Sequence, residues 1–206
     1  ALQGISVDIP EGCLITVAGP SGSGKTTLLH LLGLIEPVSS KGQVFFAGNE
    51  LYTMTIREQN SCRKSKIGWI FQQFHLIPVL TVLENVAYFL HGLGYSKHEI
   101  DQQAREAFIL VGLEKQAHKR PSELSTGQRQ RVAIARAIVK KPLVIFGDEP
   151  TANLDQKTGR QIMAILQQMC REKGVTIIIS THDPMVISYA DKKICIEDGL
   201  LAGVSS

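Results

Sequence analysis

Gly19-Pro20-Ser21-Gly22-Ser23-Gly24-Lys25-Thr26-Thr27 fits G-x-x-x-x-G-K-[ST], the pattern of a loop that cradles phosphate groups. Immediately before it, Cys13-Leu14-Ile15-Thr16-Val17-Ala18 reads as a short buried strand. After it, Lys25 to Leu32 carries Leu28, Leu29, Leu31 and Leu32 without a breaker, and Gly33 supplies the stop. Strand, glycine-rich loop and helix together form the context that turns this pattern into a site. Glycines let successive backbone N–H groups converge on one anion, because no side chain blocks the approach. The helix N-terminus adds partial positive charge there, Lys25 a full one, and Thr26 a hydroxyl suited to a magnesium ion. A chance glycine-rich turn would not come with both flanks. The chain is expected to bind a nucleoside triphosphate.

The 206 residues suit one domain, with room for two lobes and a large core. A hydrophobic content of 44% with 20% charged residues is that of an ordinary globular protein, and a net charge of +3 is too small to argue for nucleic acid. The densest basic segment, Arg57 to Lys66, lacks interleaved aromatics, so a solvated face is expected and no nucleic-acid partner. The four cysteines, Cys13, Cys62, Cys170 and Cys195, form no C-x-x-C and fit a reducing compartment. Two of them, Cys13 and Cys195, fall in apolar runs that read as strands. No apolar run approaches the ~20 residues a spanning helix needs. Work at a membrane would require an anchor supplied by something else.

Further along, Leu2 to Ile9 alternates Ile5, Val7 and Ile9 as a half-buried strand would, and Gly42 to Ala47 and Ile67 to Phe71 are further strand candidates. From Thr81 to Gly94 and from Ser96 to Val111 the apolar spacing becomes helical, and a third helix is expected from about Thr126 to Lys140. Three helices without an intervening strand suggest a lobe projecting from the sheet, roughly residues 74–140. Leu143-Val144-Ile145-Phe146 is apolar on both faces, as a central parallel strand must be. A helix over Gln156 to Lys173, a strand over Val175 to Ser180, a short helix over Pro184 to Ala190 and a strand over Lys193 to Ile196 follow. That alternation indicates a parallel sheet covered by helices.

Asp148 and Glu149 close the apolar run from Leu143, at the end of a buried strand where α/β sheets place their ligands. Asp148 can hold the magnesium ion beside Thr26, and Glu149 can orient or deprotonate an attacking water at the γ-phosphate. A merely solvated acidic pair is the plain alternative, weakened by the phosphate loop upstream. Leu124-Ser125-Thr126-Gly127-Gln128 precedes Arg129-Gln130-Arg131-Val132-Ala133-Ile134-Ala135-Arg136-Ala137. Here Ser125 with Gln128 is a capping box, sufficient in itself to begin the helix. The same helix N-terminus, with Ser125 and Gly127, is also a second anion site.

This segment resembles the signature of ATP-binding cassette ATPases, usually Leu-Ser-Gly-Gly-Gln followed by an Arg-Val-Ala-Ile-Ala-Arg-Ala helix. The family's other marks lie in order: the loop Gly19 to Thr27, Gln72 after a strand, Asp148-Glu149-Pro150-Thr151 with Ala152-Asn153-Leu154-Asp155 behind it, and His182 in Ser180-Thr181-His182-Asp183. The resemblance implies an α/β phosphate-loop NTPase core with a mainly parallel sheet, residues 1–73 and 141–206. It also implies a truncated N-terminal antiparallel β portion and an inserted helical subdomain, residues 74–140. It implies a head-to-tail homodimer with two ATP molecules in the interface. Each site would combine one subunit's Gly19, Pro20, Ser21, Gly22, Ser23, Gly24, Lys25, Thr26, Thr27, Gln72, Asp148, Glu149 and His182 with the other's Ser125, Gly127 and Gln128. In that arrangement Thr26, Gln72 and Asp148 hold magnesium, while Glu149, His182 and Lys25 serve catalysis. His182 contacts the γ-phosphate, Gln72 links the metal site to the surface facing the membrane subunits, and Asp155 lies at the dimer seam.

Within the family, Ile67 to Pro78, Leu80 to Val86 and Gly147 to Asp155 are most similar to the bacterial lipoprotein-releasing, macrolide-exporting and cell-division ATPases. The implied partners are integral-membrane permease subunits, which would hold the chain at the cytoplasmic face of the inner membrane. Two departures stand out. Thr126 replaces the usual glycine, although a β-branched residue tolerates helical angles. The family's adenine-stacking aromatic lies upstream of Ala1, so this chain is expected to prefer ATP only weakly over GTP. Three other readings compete: a soluble ABC-type ATPase not involved in transport, a phosphate-loop kinase, and a non-hydrolysing nucleotide module. A kinase would not need Leu124 to Gln128 or His182, and Glu149 argues against a non-hydrolysing module.

Overall fold

The structure is a computed structural model that describes residues 2–37 and 42–205. A six-stranded sheet forms its centre: β1 (Leu14–Ala18), β4 (Ile67–Ile70), β5 (Val144–Asp148), β6 (Thr176–Thr181), β7 (Lys192–Glu197) and β8 (Leu200–Ser205), in the order β4-β5-β6-β1-β7-β8. All neighbours run parallel except β7 and β8. A separate antiparallel pair, β2 (Phe45–Phe46) and β3 (Asn49–Glu50), stands apart from it.

The apolar runs become central strands because both faces of the sheet are covered. Ile145, Ile177 and Ile179 point into one apolar layer; Val144, Phe146 and Ile178 point into the other. This period of two within a continuous apolar run is what a doubly covered parallel strand requires. One face carries α5 (Thr126–Ile138) and α6 (Gln156–Lys173), through Val132, Ile134, Ile162 and Leu166. On the other face lies α1 (Lys25–Leu32), through Leu28 and Leu29. The helices α2 (Ile56–Lys66), α3 (Val82–Ala87) and α4 (Lys97–Val111) begin with capping boxes, Thr55–Glu58, Thr81–Glu84 and Ser96–Glu99, which satisfy the first orphan N–H groups. A four-residue helix α7, Pro184–Ile187, precedes β7.

The helical segment is continuous with the sheet's own core. Val82, Val86, Ala104 and Phe108 share one apolar cluster with Val132, Ile145 and Ile177. Helix α5 is the link between the two, because it packs on α3 and α4 as well as on β4.

Several expectations from the sequence are corrected here. Ile5, Val7 and Ile9 are half-buried and pack against the second apolar layer, but Leu2 to Ile9 forms no strand: the Gln3 N–H donates to the Gly199 carbonyl at 2.8 Å, and one such bond makes no ladder. The strand expected over Gly42 to Ala47 is confined to Phe45 and Phe46, because Ala47 and Gly48, at φ 48° and 77°, already form the turn. Helix α3 stops at Ala87 and tightens into a 3₁₀ turn, Tyr88–Leu90, before the left-handed Gly92 and Gly94. Leu143 lies outside β5 and is 51% exposed, and Cys13 sits one residue before β1. Strand β8 had a readable signal. Asp198-Gly199, at φ 47° and 79°, is a two-residue hairpin turn joining Glu197 to Leu200. No helix among the described residues is long and apolar enough to cross a membrane.

Candidate functional site

Four adjacent parallel strands, β4, β5, β6 and β1, deliver their C-terminal ends to one edge of the sheet. Each ends in one of the expected motifs. Gln72 follows β4, Asp148 and Glu149 end β5, Ser180 and Thr181 end β6 before His182, and the loop from Gly19 follows β1. Residues far apart in sequence therefore line one cleft of about 650 Å³, including Ser21, Gly22, Lys25, Thr26, Gln72, Asp148, Glu149 and His182. Pro20, Gly24 and Thr27 line it as well.

The loop is shaped for close backbone approach. A Cβ at Gly19 would collide with the carbonyl of Ile196 and come within 2.8 Å of Ser23 Oγ. Gly19 and the buried Ser23 thus set the loop's path beneath the cleft. Gly24, the N-cap of α1, offers no side-chain cap, so the first-turn N–H groups stay open to an anion. Lys25 is 8% exposed and its Nζ donates to the carbonyls of Gly19 and Pro20 at 2.9 and 2.8 Å. This fixes its charge at the loop's centre, where phosphate oxygens can take over those hydrogen bonds.

At the other wall, Thr26 Oγ1 donates to Asp148 Oδ1 at 3.0 Å, and Ser180 Oγ donates to the same oxygen. Ser180 was not singled out from sequence; it faces Asp148 only through the β5–β6 register. The Thr26–Asp148 pair fits magnesium, a hard ion that takes one or two carboxylates plus substrate phosphates rather than a protein cage. The described residues contain no group of three or more His, Cys, Asp or Glu side chains placed for a metal.

Glu149 holds a left-handed backbone, φ 45°, which is uncommon for a non-glycine residue and turns its side chain away from the strand direction. Its N–H donates to the Ser180 carbonyl at 3.1 Å. Oε1 lies 2.7 Å from His182 Nδ1, and Thr181 Oγ1 donates to Oε2 at 3.5 Å. The carboxylate is largely enclosed, 17% exposed, whereas His182 is 73% exposed. A base held by an imidazole and a hydroxyl at the rim of a phosphate cradle can orient a water there.

Ser125, Gly127 and Gln128 do not line this cleft. Ser125 caps α5: its Oγ accepts from Gln128 N–H at 3.3 Å, and its own N–H donates to Gln128 Oε1 at 3.0 Å. Gly127 lies against α6, where a Cβ would come 2.8 Å from Thr158 Cγ2. Thr126 takes the first helical position and its hydroxyl accepts from Arg129 Nη2 at 3.1 Å. Asp155 caps α6 through Thr158, and those hydrogen bonds hold its carboxyl below the usual range. Gln72 is tied to the segment after Glu149 by Asn153 Nδ2, which donates to its carbonyl at 3.0 Å.

A second groove lies between the core and the helical segment, walled by Trp69, Phe71, Tyr88 and Phe89. Of Phe71, Phe74 and Leu76, the apolar residues around Gln72, only Phe71 lines it. Leu76 packs into the core, and Phe74 lies beneath the Arg129 guanidinium, whose Cζ is 5.7 Å from the ring centroid.

Comparison with known proteins agrees with this geometry. The sequence profile of the family described as ABC transporter matches residues 2–152. An uncharacterized ABC transporter ATP-binding protein of Thermotoga maritima is 42% identical over 99% of this chain and 86% of its own length. The lipoprotein-releasing system ATP-binding protein LolD 2 of Caulobacter vibrioides is 38% identical over 97% of this chain and 87% of its own. Among solved structures, the dimeric ATP-binding cassette MJ0796, in a post-hydrolysis state bound to ADP and Pi, superposes with a TM-score of 0.91. It is 37% identical, over 100% of this chain and 90% of that one.

Proposed function

This chain belongs to the ABC transporter family as an ATP-binding, ATP-hydrolysing component, and from that premise we propose how its residues divide the work. The observation that carries the reading is the convergence of Lys25, Thr26, Gln72, Asp148, Glu149 and His182 on one cleft at the C-terminal edge of the sheet. Phosphates of ATP lie on the loop and on the N-terminus of α1, with Lys25 serving the β- and γ-phosphates. Thr26 and Asp148, with Gln72 beside them, would hold magnesium, which supplies charge neutralisation of the phosphates. Glu149, held by His182 and Thr181, orients the water and takes its proton as the water oxygen bonds to the γ-phosphorus. The bond from that phosphorus to the bridging oxygen breaks, and its electron pair stays on ADP. His182, exposed beside Glu149, meets the γ-phosphate. Ser125 and Gly127 complete the site of a second copy, head to tail.

The membrane partner binds the aromatic groove. Besides Trp69, Phe71, Tyr88 and Phe89, its lining includes Arg63, Lys64, His91, Arg136 and Lys140 and, among the described residues, no carboxylate. A short helix with an apolar face fits such a groove. Permease subunits bound there hold the chain at the cytoplasmic face of the inner membrane. Cross-linking in native membranes should place the partner on residues 72–95. Gln72→Ala should lower partner-stimulated hydrolysis by about fivefold or more while basal ATP binding changes little. A partner cross-linked far from this segment, or undiminished stimulation, would count against the assignment.

A further inference from the structure

Arg136 is 7% exposed, and none of the ion pairs among the described residues includes it. A buried cation needs its hydrogen bonds satisfied. Its Nη1 donates to the carbonyl of His75, and Nη2 to that of Phe74 at 2.6 Å. Both acceptors have left-handed backbones, φ 60° at Phe74 and 46° at His75. Two consecutive non-glycine residues in that region are strained, and such strain persists only where the surroundings enforce it. Here the guanidinium fork supplies the enforcement, because the turn aims both carbonyls at it. The guanidinium also lies over Phe89, with Cζ 5.7 Å from the ring centroid.

Arg129 lies seven residues earlier, two helical turns, and so on the same stripe of α5. It grips the same loop through the Phe74 ring. Helix α5 begins at the Ser125 cap, and the loop it holds follows β4 and carries Gln72. Arg136 also lines the aromatic groove. One side chain thereby touches the groove, the loop that carries Gln72 and the helix that presents Ser125.

We propose that Arg136 is a positioning residue for hydrolysis: it locks the 72–76 loop to α5, so that Gln72 and Ser125 shift as one body when the groove is occupied. The proposal rests on the functional reading above, but its first readout does not depend on turnover. Lysine at this position keeps charge and most of the volume, yet a single ammonium cannot reproduce the two-pronged fork. In full-length Arg136→Lys, hydrogen–deuterium exchange of the 72–77 amides should rise by on the order of tenfold, while exchange in β5 and β6 stays near wild type. The kcat for ATP should fall roughly 2- to 30-fold, with the equilibrium Kd for ATP nearly unchanged.

Unchanged exchange at 72–77 overturns the proposal. So does raised exchange there with normal kcat, or a uniform rise across the sheet with a lowered melting temperature, which would mark Arg136 as structural alone. Absence of hydrolysis in the wild type would instead defeat the functional reading and leave the exchange result to decide the lock. If Arg136→Lys does not fold, Arg129→Met, which removes the cation over Phe74 together with the hydrogen bond to Thr126 Oγ1, decides the matter. Raised 72–77 exchange with lowered kcat then supports the lock, and unchanged exchange overturns it.

Discussion

Glu149→Gln is expected to slow ATP turnover by ~10²–10⁴-fold, the range for loss of a positioned acid–base group, while nucleotide binding persists. The two effects separate because different elements carry them. In the proposed division of roles, binding rests on the loop, the N-terminus of α1 and Lys25, and the Glu149 side chain hydrogen-bonds instead to His182 and Thr181. Glutamine keeps the volume and can still meet His182 and Thr181, so the strained turn at φ 45° has no new reason to relax. What disappears is the ability to accept a proton. Since ATP is then bound and not consumed, a head-to-tail dimer with two trapped nucleotides should accumulate on gel filtration in ATP. The measurement pairs single-turnover phosphate release with equilibrium ATP binding. Near-normal release by Glu149→Gln would remove Glu149 from the catalytic role.

Ser125→Ala should also lower turnover, by about 10²–10³-fold if its hydroxyl serves a γ-phosphate, as for other preorganised donors. The cap alone predicts something different: a stability loss of about 1 kcal/mol and normal activity in the folded fraction. Ser125 does not line the cleft that holds Lys25 in its own chain, so any phosphate it contacts belongs to another copy. Mixing two inactive chains tests this. In a head-to-tail dimer of Ser125→Ala with Lys25→Ala, both lesions fall in one composite site and the other site is intact. Activity should return on mixing, and one ATP should bind tightly per heterodimer. Heterodimers that form but neither hydrolyse nor retain one ATP would mean that each site is confined to a single chain.

Much of this was legible from local chemistry. The loop from Gly19 to Thr27 announces itself because phosphate binding is done by contiguous backbone N–H groups, so its signal is contiguous too. The parallel strands are legible because burial on both faces leaves unbroken apolar runs such as Val144 to Phe146. The caps at Ser125 and Asp155 act over three residues and are equally local. By contrast, Leu2 to Ile9 has the alternation of a strand but forms no ladder, its Gln3 N–H alone meeting the Gly199 carbonyl, because pairing is a property of two segments.

Only the tertiary structure decided the rest, and the reason is distance along the chain. Ser180 reaches Asp148 through the register of β5 and β6, and His182 meets Glu149 from 33 residues away. Arg136 finds the carbonyls of Phe74 and His75 across some sixty residues, with a backbone twist that no propensity would favour. In sequence, Arg136 is one more basic residue on an amphipathic helix. The sequence by itself determined which chemical groups are present and that strands would carry them to one edge of a sheet. The packing of α5 against β4 and the 72–76 loop determined which groups touch, because contacts between remote residues depend on register and crossing geometry, which local patterns do not encode.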